Sequence, residues 1–237
     1  MGKITKEKFK TYKNVFDAHS ERCLFKLASQ GHFDEMIGPV SIGKEANIFT
    51  ATKDNHKVII KIYRLENCDF NKMYDYIKFD PRYLHLKKNK RLIIFSWCKR
   101  EYRNLMKLRE AGVRVPQPIA FIDNIIVMEH IGKDEPAPKA KDILPADPSA
   151  FVDKIIIQAK KMAKAGYVHG DLSEFNILNN EDKPVIIDLA QGTPWSSMNS
   201  KELIVRDAKN IVRYAKKIGV TISTKDIEEE LLKEKKK

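Results

Sequence analysis

The eleven residues VHGDLSEFNIL, 168–178, hold His169, Asp171 and Asn176 at the spacing H-x-D-x-x-x-x-N, and the apolar run PVIIDLAQ downstream carries Asp188. That set suits phosphoryl transfer, in which one Asp takes the proton of an attacking hydroxyl while an Asn and a second Asp hold magnesium against nucleotide phosphates. Asp171 is the candidate base; Asn176 and Asp188 are the candidate metal ligands. Taken singly, His169 and Asp171 would suit a capped turn better. The whole string carries more weight, because a carboxylate closing a buried strand leans towards ligand binding.

A phosphate-binding cation is also required, and VIIKIYR places Lys61 inside an apolar strand in the manner of V-A-I-K. A lysine between Ile60 and Ile62 could equally face solvent, so its partner decides. On a helix from about Leu92 to Glu110, Ile94, Cys98, Leu105 and Leu108 form one apolar stripe with Glu101 on its centre line, whereas Glu110 faces away. A carboxylate on a buried stripe needs a cation. Lys61 is the expected one.

The stretch GPVSIGKEANIF, 38–49, has the G-x-x-x-x-G-K spacing of a P-loop, but Glu45 stands where a metal-binding Ser or Thr belongs. A strand also follows where a P-loop needs a helix. As a Gly-rich nucleotide hairpin, G-x-G-x-x-G-x-V, the residues align as Ser41, Ile42, Gly43, Lys44, Glu45, Ala46, Asn47 and Ile48, with a small residue at each glycine position. Strand–turn–strand is the context that motif requires. In IIVMEHIG, adenine would bond to the Glu129 C=O and the Ile131 N–H with Met128 behind it, although an ordinary edge strand would read the same way.

These residues need elements to hold them. Apolar spacing over residues 4–30 predicts two helices broken near Asp17 to Ser20, and NIFTAT and KVIIKIY read as strands joined at KDNH. Residues 66–90 are polar and aromatic without clear period, which predicts a long mobile insertion. Two strands turn at Asp123-Asn124, a Pro-rich connector follows, and Asp147-Pro148 opens a helix towards Gly166. A helix over about Ser200 to Ile218 puts Asp207 on its apolar stripe, satisfied either by the backbone of the catalytic loop or by water. The tail EEELLKEKKK reads as a frayed helix. The expected fold is α+β with two lobes and a ligand cleft between them.

Composition narrows the class. A chain of 237 residues, 43% hydrophobic, can bury a real core. Cys23, Cys68 and Cys98 are too few and too scattered for a disulfide framework or a zinc site, which suggests a reducing compartment, with the cytoplasm as default. No apolar run is long enough to span a bilayer, so no membrane partner is expected. A net charge of +12 suits a polyanion such as RNA, or merely a lysine-rich surface.

SIGKEANIF, KIYR, REYRNL, VHGDLSEFNIL and VIIDLAQ together resemble the RIO family of atypical protein kinases, and its type-1 branch in particular, over about residues 15–215. The resemblance implies a two-lobe protein-kinase-like fold: a helical extension at 1–36, an N-lobe at 37–131 with five antiparallel strands, one helix and an insertion at about 66–90, and a truncated, mostly helical C-lobe at 132–237. It also implies ATP with magnesium or manganese, serine autophosphorylation, and action on small-ribosomal-subunit precursors of rRNA and ribosomal proteins, as a monomer or weak dimer. Asp188 would accept phosphate transiently, as befits an ATPase-like switch. The 40 residues from Lys61 to Glu101 match the family's insertion. The pair Leu189-Ala190 departs from many members, and the short ends suggest a minimal, archaeal-type form.

Two other functions compete. One is a nucleotide-gated factor for pre-ribosomal RNA, in which hydrolysis only drives release. The other is a small-molecule kinase of the aminoglycoside or choline type, disfavoured by the 49 residues that remain after Asp188.

Overall fold

The computed structural model describes residues 16–66 and 68–234. The helix expected before Asp17 lies outside them. The chain divides into two compact units. The first runs to Tyr74 and resumes over Leu86–Tyr102 and Gln117–His130; the second takes Asp75–His85, Arg103–Pro116 and everything from Ile131.

In the first unit, helix α1 (Ala18–Ser29) begins where Asp17 caps the His19 and Ser20 N–H groups at 2.9 and 3.0 Å. This side-chain acceptor satisfies backbone donors that have no partner within the helix. Strands β1 (Glu35–Ile42), β2 (Ala46–Lys53), β3 (His56–Tyr63), β4 (Pro118–Ile122) and β5 (Ile125–Glu129) form one antiparallel sheet in the order β1-β2-β3-β5-β4. The β2–β3 turn at Asp54-Asn55 is left-handed at both residues, the geometry that matches the twist of a tight hairpin. Leu24, Leu27, Phe33, Phe49, Ile60, Ile62 and Val127 form the core between α1 and the sheet. Because a strand alternates faces, Lys61 lies out of phase with Ile60 and Ile62.

The insertion is more regular than its composition suggests. It contains helix α2 (Phe70–Ile77) and a 3-10 turn at Pro81–Tyr83, with Met73, Ile77 and Asp80 buried. The spacing Phe70, Met73, Ile77 is helical, but eight residues give too short a window to stand out among the lysines and aromatics around them. Helix α3 (Lys90–Glu110) follows and contributes residues to both units.

The second unit is mostly helical, with α4 (Pro148–Lys164), α5 (Ser200–Lys217) and α6 (Thr224–Glu234). Asp147 accepts from the Ala150 N–H at 2.9 Å and Pro148 stands first in α4, as its sequence predicts. Two short two-stranded antiparallel sheets complete the unit: β6 (Tyr167–Val168) with β9 (Thr193–Pro194), and the hairpin β7 (Ile177–Asn180) with β8 (Lys183–Ile186). The tail does not fray as expected over its described part, since α6 buries Ile227 and Leu231 and pairs Glu230 with Lys160 at 3.2 Å. Burial at positions four apart outweighs the charge that makes the segment look unstructured. No described helix is long and apolar enough to cross a membrane.

Candidate active site

Lys61 and Glu101 meet in the first unit. The ammonium lies 2.7 Å from Glu101 Oε1, with side chains 9% and 2% exposed. Strand β3 delivers the lysine and α3 the acid, and the Tyr63 hydroxyl, two residues along the same face, donates to Glu101 Oε2. Lys61 also sits 4.9 Å above the Tyr63 ring. Removing two charges from water is costly, so a pair this deeply buried is more readily explained by function than by stability. Tyr63 was not singled out from the sequence. Its position at i+2 from Lys61 is the signal that could have found it.

The hairpin β1–β2 turns through Gly43, Lys44 and Glu45. The Gly43 N–H donates to the Ala46 C=O at 3.1 Å, and a Cβ on residue 43 would lie 2.8 Å from that oxygen. Only glycine fits without moving backbone, and this explains the one true glycine among the three small positions. Ser41 pairs with Ile48 and Ile42 with Asn47 across the ladder, so Ser41 to Ala46 form the tip. Arg64, the residue after β3, braces the turn, donating to the Gly43 C=O at 3.3 Å, while its backbone N–H reaches the Glu45 C=O at 3.0 Å. At the end of the same sheet, buried Met128 pairs with Ile59, and the Glu129 N–H donates to the Gln117 C=O at 2.8 Å. In the second unit, the Ile131 C=O accepts from the Ala137 N–H at 2.7 Å.

Also within the second unit, Asp171 and Asn176 are adjacent. Asn176 Nδ2 donates to the Asp171 C=O at 2.9 Å and to Asp171 Oδ2 at 3.1 Å. With both amide hydrogens committed to Asp171, the Asn176 oxygen is the atom turned away and suited to a hard cation. The loop is rigidified from below by Asp207 of α5, whose two oxygens accept the Gly170 and Leu172 N–H groups at 2.9 and 2.8 Å. Of the two partners considered for Asp207, the catalytic-loop backbone is the one found. Gly170 at φ +81° supplies the left-handed turn that points both amides inward. Burial pushes the Asp207 carboxyl above its ordinary value, while the hydrogen bonds from the two amides pull it back.

His169 is a scaffold residue. It is almost fully buried, its Nε2 lies 3.0 Å from the Ile187 C=O and its Nδ1 accepts from the Asp171 N–H at 3.2 Å. The ring therefore carries its proton on Nε2 and ties the loop to the segment bearing Asp188. A backbone bond from the Ile187 N–H to the Asn176 C=O, 3.0 Å, reinforces the link.

Asp188 itself is exposed and left-handed, φ +59° and ψ +63°. Strand β8 ends at Ile186, so Asp188 does not close the strand as expected but opens the 3-10 turn Leu189–Gln191. A non-glycine residue held in this conformation stores strain, and such strain gathers at functional positions. The turn is clamped by Asn104 of α3, which donates to the Leu189 and Gly192 C=O groups at 2.8 and 2.7 Å. Arg82 from the insertion donates in turn to Asn104 Oδ1 at 3.1 Å and grips buried Asp80 with two nitrogens at 2.6–3.1 Å. Asn104 was missed in the sequence, where a polar residue one turn beyond Glu101 beside Leu105 was its signal. Nothing in the sequence tied Arg82 to the turn, since a contact across 22 residues has no local pattern.

An antiparallel sheet with a buried Lys–Glu pair, joined in sequence to a helical unit bearing H-x-D-x-x-x-x-N and a strained Asp, defines an α+β fold of the protein-kinase type. A RIO domain matches residues 47–229. The chain belongs to the RIO family, and with it to the atypical serine/threonine kinases. It is 36% identical over 215 residues to the RIO-type serine/threonine-protein kinase Rio1 of Haloferax volcanii, covering 90% of this chain and 74% of the relative. To the protein of the same name from Methanocaldococcus jannaschii it is 37% identical over 223 residues, covering 93% and 77%. In structure it is similar to the Rio2 kinase of Chaetomium thermophilum in its ADP/Mg2+-phosphoaspartate complex, with a TM-score of 0.69, 24% identity, and coverage of 89% of this chain and 66% of that one.

Proposed function

We propose that this chain transfers the γ-phosphoryl group of ATP to a serine hydroxyl, its own included. Asp171 accepts the hydroxyl proton as the serine oxygen bonds to phosphorus and the bond to the β-phosphate oxygen breaks, releasing ADP. Lys61, fixed by Glu101, neutralises the α- and β-phosphates. The tip Ser41 to Ala46 covers the triphosphate with backbone N–H groups, and the adenine edge reads Glu129 and Ile131 with Met128 behind it. The buried Lys61–Glu101 pair carries this reading, because the cost of taking two charges out of water offsets most of what their attraction could add to stability.

The Asn176 oxygen and the Asp188 carboxylate form an all-oxygen donor set that fits magnesium, with manganese as a close substitute. The metal's contribution is to neutralise charge on the phosphates as they separate. Incubation of the purified chain with γ-labelled ATP, with magnesium and with excess chelator, tests the reading. Metal-dependent label on phosphoserine is expected; label that ignores the chelator would count against it.

A second step is supported by exposed, strained Asp188 and by the phosphoaspartate in the Chaetomium thermophilum complex. In this proposed step of the present chain, an Asp188 oxygen attacks the γ-phosphorus, ADP departs, and water then hydrolyses the acyl phosphate to return the carboxylate. This is an ATPase cycle suited to a binding switch. The partner we propose is a small-ribosomal-subunit precursor, as the family resemblance implies, and the net charge of +12 suits such a polyanion. Co-sedimentation with such particles should depend on nucleotide and weaken with salt.

A further inference from the structure

Away from the kinase residues, three side chains of the first unit bring one ligand atom each to a common point. His19 Nε2 lies 2.9 Å from Asp123 Oδ2, Cys23 Sγ lies 3.5 Å from His19 Nε2, and Cys23 Sγ lies 3.7 Å from Asp123 Oδ2. We infer that His19, Cys23 and Asp123 form a binding site for zinc or a zinc-like divalent ion.

The triangle has the dimensions of a coordination face. A point in its plane lies about 2.0 Å from all three atoms, and a tetrahedral ion with bonds of about 2.0–2.1 Å to nitrogen and oxygen and about 2.3 Å to sulfur has edges of roughly 3.3–3.6 Å. Both edges to sulfur already match, and the His–Asp edge needs to open by only a few tenths of an ångström. A Cys-His-Asp proton relay would use opposite ring nitrogens of the histidine for the thiol and the acid. Here a single nitrogen, Nε2, faces both. That convergence fits a shared metal and not a relay. Without a metal, Asp123 Oδ2 accepts from both the His19 ring and the Cys23 thiol, and the cobalt titration below separates that hydrogen-bonded triad from a metal site.

The ligands are held by their surroundings. His19 and Cys23 stand four apart on α1 and so share a face. The His19 ring stacks on Phe95, centroids 5.3 Å apart and planes 20° apart. Asp123 is left-handed at φ +50° in the β4–β5 turn, and its neighbour Asn124 fastens that turn to α1 and β3 through the Ser20 hydroxyl at 2.8 Å and the Tyr63 C=O at 2.7 Å. Such support is what keeps ligands oriented in metal sites. Cys23 is buried, whereas the Asp123 side chain is 42% exposed, which leaves one side for a water as fourth ligand. A thiolate with an imidazole selects zinc over magnesium or calcium, and one thiolate plus one carboxylate balances its charge. Binding releases the thiol proton to solvent. The cysteine count alone does not reach this site, because two of its three ligands are a histidine and an acid that the fold brings to Cys23.

Cobalt(II) is the probe. Added to the chelator-stripped full chain, one equivalent should give a thiolate-to-cobalt charge-transfer band that zinc abolishes. The band should vanish in Cys23→Ser, require more than about tenfold more cobalt in His19→Gln and in Asp123→Asn, and persist in Cys68→Ser and in Asp188→Asn, with circular dichroism reporting folding of each. The His19 and Asp123 variants retain the thiol and keep the question answerable if Cys23→Ser fails to fold. A wild type that gives no charge-transfer band, or a band that survives loss of Cys23 or is unmoved by loss of both His19 and Asp123, overturns the site.

Discussion

Asn104 spends both hydrogens of its amide on Gly192 and Leu189, the backbone carbonyls that frame the turn behind Asp188. A Cβ on residue 192 would lie 2.9 Å from the Asn104 nitrogen and from the Leu189 C=O, so the two segments fit together only because that position is glycine. Arg82, anchored on Asp80, holds the far end of the same amide. Substitution Asn104→Ala strands two carbonyls and frees the turn. We expect a loss of about 2–4 kcal/mol in denaturant unfolding, at about 1–3 kcal/mol for each orphaned group with partial rescue by water. Turnover should fall and the magnesium concentration for half-activity should rise, with KM for ATP little changed. An unchanged metal dependence would show that the clamp serves stability alone.

Lys61 and Glu101 separate stability from activity. Lys61→Met leaves the Glu101 carboxylate buried without its cation, and should cost about 3–5 kcal/mol. The double variant Lys61→Met, Glu101→Leu should recover most of that stability, because apolar replacement of a buried pair is often neutral. It should recover no phosphoryl transfer. Thermal melts beside label incorporation would check both halves.

Asp207 acts on the catalytic loop without touching substrate. Asp207→Asn turns an amide N–H towards one of the two backbone donors it now accepts. The expected cost is about 1–3 kcal/mol, with a fall in kcat greater than any rise in KM. A variant that melts earlier yet turns over at the wild-type rate would contradict the positioning role.

Leu231→Ala tests whether the last helix belongs to the fold. Leu231 is 4% exposed, and truncating such a residue typically costs about 2–5 kcal/mol. Chemical denaturation would measure it, and a change below about half a kcal/mol would return α6 to the status of a tail.

The sheet, the helices and the Lys61–Glu101 pair were legible in the sequence because each rests on a local rule: alternation in KVIIKIY, a stripe around Glu101, a cap at Asp147. The capped loop of Asp171 and Asn176 was legible as a motif, and the partner of Asp207 followed from its place on an apolar face. What escaped depends on distant chain segments or on windows too short to show a period. Helix α2 is eight residues among charges, and α6 hides two buried side chains behind lysines and glutamates. The Arg82–Asn104 clamp and the convergence of His19, Cys23 and Asp123 each join residues that only the fold brings together. The strand before Asp188 ends two residues early because the acid takes a left-handed turn, a conformation Asp tolerates but does not dictate.

The role of Asp171 is the central claim, and the most direct measurement is γ-phosphoryl transfer by Asp171→Asn beside its affinity for ATP. Loss of a general base at a positioned hydroxyl should lower turnover by about 10²–10⁴-fold while leaving nucleotide binding near the wild-type value. Wild-type turnover in that variant would contradict the account.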